Sequence, residues 1–334
     1  GSLMGTIGKG YTGGKNIDVT LLENSDAFGY SVSLNATGNR MAVGAPGDSG
    51  LGNVLTGAGA VYLFGFSDDS FGGGSVLGII GKGYADGKNI DVPTLGWADR
   101  FGSAVSLNAV GDRLAVGVYL DDGFNNVVQG AGAVYLFGFT DVFFSGGALL
   151  ATIGRGYVGG KNVDMSFLET DDYFGTSVSL NAVGNRLAVG TRGDDGLGNV
   201  VSSAGAVHLF EFTDELFGGG TLLATIGKGY AGGRNFDLAL DEFDLFGHAV
   251  SLNAAGNKLA VGSPGDWGYG NVTESCGAVF LFGFTDASFG GNSLLGIIGK
   301  GYTGAQMINL PTLDIYDNLG VSVSLNAAGD RLAV

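Results

Sequence analysis

The stretch FGYSVSLNATGNRMAVGAPGD at residues 28–48 returns as FGSAVSLNAVGDRLAVGVYLD at 101–121, FGTSVSLNAVGNRLAVGTRGD at 174–194 and FGHAVSLNAAGNKLAVGSPGD at 246–266. It starts a fifth time as LGVSVSLNAAGDRLAV at 319–334. Inside it lie two strand signals, SVSLNA (31–36) and NRMAVGA (39–45), joined by a tight loop. Gly38, Gly111, Gly184, Gly256 and Gly329 recur in that loop, where a hairpin needs a residue at positive φ. The repeat therefore contains an antiparallel hairpin.

Working outward, GAVYLFGF (59–66) and SVLGIIGKGY (75–84) supply two more strands, separated by the turn-rich SDDSFGGG (67–74). The pentapeptide IGKGY, once IGRGY, begins at Ile7, Ile80, Ile153, Ile226 and Ile298, a period of 73 residues shortened to 72 at the last step. The modules are thus 7–79, 80–152, 153–225, 226–297 and a partial 298–334, forming one repeat domain over 1–334. Both ends fall inside a module, as expected of an excerpt from a longer array or of a ring with an unusual phase.

The third strand has apolar residues on both faces, Val61 and Leu63 on one and Tyr62, Phe64 and Phe66 on the other. A sheet wetted on one side would alternate with polar residues; this one must be covered twice. Four-stranded antiparallel blades stacked around an axis meet that demand. A parallel β-helix is the rival, but no subperiod near ~24 residues appears and the hairpin is an antiparallel device. The fold class is all-β, a β-propeller with about five blades in this segment.

Composition agrees. Glycine supplies 66 residues and proline four, while 45% of residues are hydrophobic, so glycine-rich turns join strands with apolar surface enough for a core. Thirty-two acidic against sixteen basic residues give a net charge of −16, which repels phosphate backbones and anionic lipid. Nucleic acid is excluded as a partner, and so is membrane insertion, since the segment has neither a long apolar span nor a signal-peptide pattern. The single cysteine, Cys276, rules out an internal disulfide and replaces an alanine of the other copies.

Phe28-Gly29, the V-S-L-N run, Gly44-Ala45-Pro46 and G-A-V-Y-L-F resemble FG-GAP repeats, the blades of the integrin α-chain propeller. Gly262-Ser263-Pro264 nearly matches, whereas Gly117-Val118-Tyr119 and Gly190-Thr191-Arg192 depart from the pattern. The resemblance implies a propeller and covers nearly the whole chain. Integrin-type blades often carry a D-x-D-x-D-G calcium loop in the first hairpin. Here that loop reads NATGNR, NAVGDR, NAVGNR, NAAGNK and NAAGDR, with one carboxylate at most, too few for a cation that wants six to eight oxygens. The glycine-rich style is also similar to that of large exported bacterial surface proteins.

The loop after the second strand is where chemistry could sit: GDSGLGNV, LDDGFNNV, GDDGLGNV and GDWGYGNV. Asp48, Asp121, Asp194 and Asp266 recur there, with Asp122 and Asp195 beside two of them and Asn53, Asn126, Asn199 and Asn271 further on. Carboxylates, amides and free carbonyls on a loop suit calcium or sugar hydroxyls; equally, Asp and Asn make turns for their own sake. Calcium is the only cofactor these loops suggest. Fourteen of the sixteen basic residues fall at three repeat positions, which suggests pairing with recurrent carboxylates such as Asp18, Asp91, Asp164 and Asp237. His208 stands where other copies have a strand tyrosine and His248 follows Phe246 by two; neither makes a metal site with the lone cysteine, and no nucleophile–base pair emerges.

Near-identical blades lack the asymmetry that catalysis requires, so the chain reads as non-enzymatic. The expectation is a structural or adhesive repeat module of an exported bacterial protein, extracellular or on the cell surface, with a protein or glycan on another surface, or neighbouring copies of itself, as partner. The alternative is a lectin-like propeller binding glycans or calcium through the GDDG-type loops.

Overall fold

A computed structural model describes residues 2–214, 216–286 and 288–334, and every regular element among them is a strand. A short parallel pair opens the chain, β1 (Ile7–Gly8) with β2 (Ile17–Asp18). The first complete sheet follows: β3 (Ser31–Leu34), β4 (Arg40–Ala45), β5 (Ala60–Gly65), β6 (Ser75–Gly81) and β7 (Ile90–Asp91), neighbours in that order. β3 to β6 form an antiparallel meander, and β7 joins β6 in parallel with Ile90 opposite Ile80. Three more sheets repeat this order, beginning at Ala104, Phe174 and Ala249, and Ser324–Leu325 pairs with Leu332–Ala333 as the first hairpin of a fifth unit.

The hairpin glycines sit at φ 69°, 87°, 83°, 70° and 66°, as the turn demands. Each blade has four antiparallel strands, as expected, plus a two-residue fifth that the sequence pattern does not reveal. That strand lies in the variable connector and is held by side chains. Asn89 Oδ1 accepts the Ile79 N–H at 2.8 Å and Asp91 Oδ1 accepts the Gly83 N–H at 2.7 Å, folding the chain back beside β6.

β5 is buried on both faces: Tyr62 and Leu63 point in opposite directions and both have 0% exposure. Tyr62 and Phe64 pack with Met41, Val43 and Ile17 of their own side, while Val61 and Leu63 share a core with Val105, Leu107, Leu114 and Val116 of the next sheet. Every sheet-to-sheet interface is thus a core, and coiled parallel rungs are excluded.

Glycines set how closely the sheets approach. A Cβ on Gly44 would lie 1.9 Å from the carbonyl oxygen of Gly102; the same clash pairs Gly117 with Gly175 at 2.0 Å, Gly190 with Gly247 at 1.8 Å and Gly262 with Gly320 at 1.9 Å. Each of these links the second strand of one blade to the Phe-Gly (once Leu-Gly) dipeptide of the next. The phenylalanine beside it is buried, and Gly59, Gly132, Gly205 and Gly277 form isolated bridges to Phe101, Phe174, Phe246 and Leu319.

Nearer the axis a second set of links repeats. Ser33, Ser106, Ser179 and Ser251 use Oγ to accept the N–H of Leu107, Leu180, Leu252 and Leu325 one blade on, at 2.9–3.0 Å. Those amides sit on the free edge of a first strand and would otherwise be unpaired. A backbone belt, Ala36 to Ala109 to Ala182 to Ala254 to Ala327 with N···O distances of 3.0–3.1 Å, joins the five hairpins. One cavity is lined by Tyr30, Ser103, Thr176, His248 and Val321, the residue after the Phe-Gly position in each of the five copies. The five units therefore surround a common axis, the arrangement of a β-propeller.

A methyl group at the glycine contact tests this account. Gly190→Ala is expected to cost about 3 kcal/mol or more by overpacking against a rigid backbone. Gly87→Ala, at φ 68° with nothing within 4 Å, should cost only about 1 kcal/mol of backbone strain. Urea denaturation of the two variants measures both, and equal losses would refute the close-approach role.

Candidate functional site

The recurrent aspartates of the loop between second and third strands point inward. In the first blade Asp48 is buried: Oδ1 accepts the Gly50 N–H at 2.7 Å, and Oδ2 accepts the hydroxyls of Tyr62 at 2.9 Å and Tyr84 at 3.2 Å. Asp121 repeats this with Gly123 at 2.8 Å and with Tyr135 and Tyr157, each at 3.0 Å. In the third and fourth blades the strand tyrosine is His208 or Phe280, so Asp194 and Asp266 keep one tyrosine each, Tyr230 at 2.9 Å and Tyr302 at 2.8 Å. In the first two blades the carboxylate latches the loop to the third strand and to the tyrosine of the IGKGY motif, and in the next two to that tyrosine alone. The latch fills both oxygens of each aspartate from within the protein.

The other candidates also make local bonds. Asp122 accepts the Gly130 N–H at 2.8 Å and Asp195 the Ser203 N–H at 2.6 Å. Asn53, Asn126, Asn199 and Asn271 occupy the left-handed region at φ 54–55°, the conformation asparagine tolerates in turns. Asn199 and Asn271 additionally donate to Glu169 and Asp241, at 2.5 and 2.8 Å. The ten residues are distributed one loop per blade over four blades and are not gathered at one point. Among the described residues no three His, Cys, Asp or Glu side chains form a metal-holding group.

Each latch has an acidic neighbour that the sequence reading did not single out. Asp26, Asp99, Asp172 and Asp244, in the connector before each Phe-Gly, accept the N–H three residues back at 2.5–2.8 Å. Burial, and then the negative charge of the latch aspartate, push Asp99, Asp172 and Asp244 up to about 7; Asp194 is pushed up to about 6 by burial. Burial and the adjoining carboxylate likewise raise the latch tyrosines.

The repeated basic residues do not pair with Asp18 and its counterparts. Lys9, Lys82, Arg155 and Lys300 donate to backbone carbonyls 13 residues on, at Leu22, Leu95, Leu168 and Leu313, while Asp18, Asp91, Asp164 and Asp237 accept backbone amides. Lys88 and Lys161 reach Phe143 O and Leu216 O in the neighbouring blade, each at 2.6 Å. Among the described residues the ion pair within 4.0 Å is Arg113–Asp112, at 3.9 Å. The spacing betrays the cations, but their acceptors are turn carbonyls, which carry no residue identity. His208 is fully buried, with Nδ1 3.1 Å from Thr225 Oγ1, and its pKa is pushed down by burial to about 3; Cys276 is buried too.

Two features of one molecular face were not anticipated. The start of a first strand and the end of a second lie at the same end of the blade, Ser31 opposite Gly44. The latch loops and the mouth of the axial cavity therefore share that face. At each loop tip two apolar side chains are presented to solvent: Leu51 and Val54, Phe124 and Val127, Leu197 and Val200, Tyr269 and Val272, the four valines at 68–75% exposure. The signal was there in L-G-N-V, F-N-N-V and Y-G-N-V, but a valine inside a glycine-rich turn reads as part of the next strand. The axial cavity, of about 390 Å³, adds Tyr119 and Arg192 to its five equivalent positions. These are the residues that replace the proline of the Gly-Ala-Pro motif.

Residues 22–64 match the family model described as FG-GAP repeat, a span holding Phe28-Gly29 and Gly44-Ala45-Pro46. No curated protein matches the chain. Among solved structures, that of Chaetomium thermophilum Sqt1 is similar over 88% of this chain and 50% of that one, at 13% identity and a TM-score of 0.44. The chain spans half the length of that structure.

The buried acids fix a pH dependence. Asp99, Asp172 and Asp244 have folded pKa values near 7 against an ordinary 3.8, so between these limits the folded chain holds protons that the unfolded chain releases. Raising the pH through that window lowers stability. Urea midpoints should therefore be higher at pH 5 than at pH 8, and the triple Asp→Asn variant at these positions should flatten the difference.

Proposed function

We propose, from the FG-GAP repeat match at residues 22–64 and its recurrence along the chain, a non-enzymatic, structural or adhesive module of an exported bacterial surface protein. The observation that carries this reading is the set of four latch loops, each presenting an exposed valine with a second exposed apolar or aromatic side chain. Exposed apolar side chains repeated at equivalent loop tips offer another surface the same contact at each blade. The buried Asp–Tyr bonds hold each loop in one shape before contact, which reduces the entropy cost of binding. Equivalent tips on one chain add their contacts as avidity.

The same latches support the absence of catalysis. The recurrent carboxylates are engaged with tyrosines and turn amides, and His208 and Cys276 are sealed in the core. An extracellular setting rests on the FG-GAP repeat match, and no helix among the described residues is long and apolar enough to cross a membrane.

Cells displaying the chain should adhere to protein- or glycan-coated surfaces. Replacing Val54, Val127, Val200 and Val272 together with serine should cut retention under flow by about ten-fold or more, because avidity is lost at every site. Unchanged retention with a correctly folded quadruple variant would discard the loop-tip reading. The lectin-like alternative draws on Trp267 and Tyr269, whose exposed rings offer flat faces to sugars. Saturable signals on a glycan array, lost in Trp267→Ala and Tyr269→Ala, would favour it.

A further inference from the structure

Of the sixteen basic residues only Arg100 and Arg192 stand outside the three repeat positions, and Arg192 lines the axial cavity. Its guanidinium lies 5.4 Å from the ring centre of Tyr119 and 5.1 Å from that of Tyr173, rings that meet edge to face at 5.9 Å. A guanidinium held over aromatic rings keeps N–H groups with which to fork onto a planar anion. Among the described residues no carboxylate lies within 4.0 Å of Arg192 and no acceptor takes its N–H groups. In a chain of net charge −16, an uncompensated cation at the axis is an exception.

The rest of the lining is chosen alike. No carboxylate lines the cavity. His248 contributes a buried Nδ1 with no partner, and burial together with the charge of Arg192 holds the imidazole below its ordinary pKa, hence neutral near pH 7. A buried polar atom left unpaired costs about 1–3 kcal/mol, so a ligand that pairs it gains accordingly. Ser103 and Thr176 already donate their hydroxyl protons, to Gly117 O at 3.0 Å and Tyr173 O at 2.7 Å, and so offer lone pairs to a ligand's hydroxyls. The volume, about 390 Å³, falls at the small end of ligand pockets.

We propose that the axial cavity binds a small hydroxylated monocarboxylate of sugar-acid size, with Arg192 gripping the carboxylate. One cation matches one negative charge. A zwitterionic amino acid would find no anion for its ammonium group, and a phosphate dianion would leave a charge unmatched in a low-dielectric funnel. Arg192 and Tyr119 belong to the two blades that break the Gly-Ala-Pro pattern, and His248 is unique to the fourth copy, so the site exists once per chain. It is independent of the loop tips and stands or falls apart from the adhesive reading.

The chain's two histidines make the test direct, because His208 is buried and serves as an internal reference for folding. Sodium glucuronate titrated into the full chain at pH 7 should move the His248 imidazole resonances saturably and leave those of His208 in place. Arg192→Gln should weaken the interaction by roughly ten-fold or more. Arg192→Lys, which keeps the charge and loses the fork, should weaken it less, and Arg100→Gln should not change it. Glucose should give no shift and inorganic phosphate a weaker one. A His248 response that is absent, that survives Arg192→Gln, or that phosphate or glucose reproduces at equal affinity would overturn the proposal.

Discussion

Backbone meets backbone at every joint of this propeller, through glycines that no other residue can replace. The second-strand glycine of one blade lies so close to the carbonyl of the Phe-Gly glycine of the next that a Cβ would fall 1.8–2.0 Å from it. That approach brings the double-sided third strand within reach of the following sheet and lets Ser33 and its counterparts reach the edge amides. It also gives the repeated motif a physical meaning. The phenylalanine fills the interface, the first glycine takes positive φ, and the second glycine yields the room. The clash distance varies by only 0.2 Å among the four joints, so the same close approach recurs at each of them.

With the interfaces fixed by apolar contact and glycine, the charges are used locally. Recurrent aspartates accept turn amides and tyrosine hydroxyls, and recurrent lysines donate to carbonyls left over by turns. A charge-assisted bond to a neutral partner escapes the entropy and salt screening that make surface ion pairs weak. The cost is that four pairs of acids lie close together under burial, which the fold tolerates by binding protons up to near neutrality. An acidic protein built this way commits its carboxylates to bonds within its loops.

Much of the fold was legible from residue patterns alone, because strand alternation and hairpin glycines are local rules. Val61, Tyr62, Leu63 and Phe64 announced two covered faces, and Gly38 and its counterparts announced the turns. The fifth strand escaped because it is made by Asn89 and Asp91 bonding to backbone in an irregular connector. At the loops, the recurrence of Asp48 was visible but its partner Tyr84, 36 residues away, was not. Spacing shows that a residue is required without showing which way it points, so a structural carboxylate and a ligand carboxylate look the same until the fold is known.

Repetition itself separates the two kinds of information. A residue present in every copy must satisfy a demand that every blade makes, and such demands are those of packing, turning and joining. A residue present in one copy answers no demand common to the blades: His208 and Cys276 still pack the core of their own blade, whereas a singular residue at the axis packs no shared interface. Pro46 and Pro264 close the second strand in two blades, whereas Tyr119 and Arg192 replace them in two adjacent blades and meet across the joint at the axis. Arg192 has aromatic rings and, among the described residues, no carboxylate beside it, whereas ten of the fourteen repeated cations donate to backbone carbonyls. Individual chemistry is therefore concentrated where five different side chains converge, and shared chemistry where four loop tips repeat.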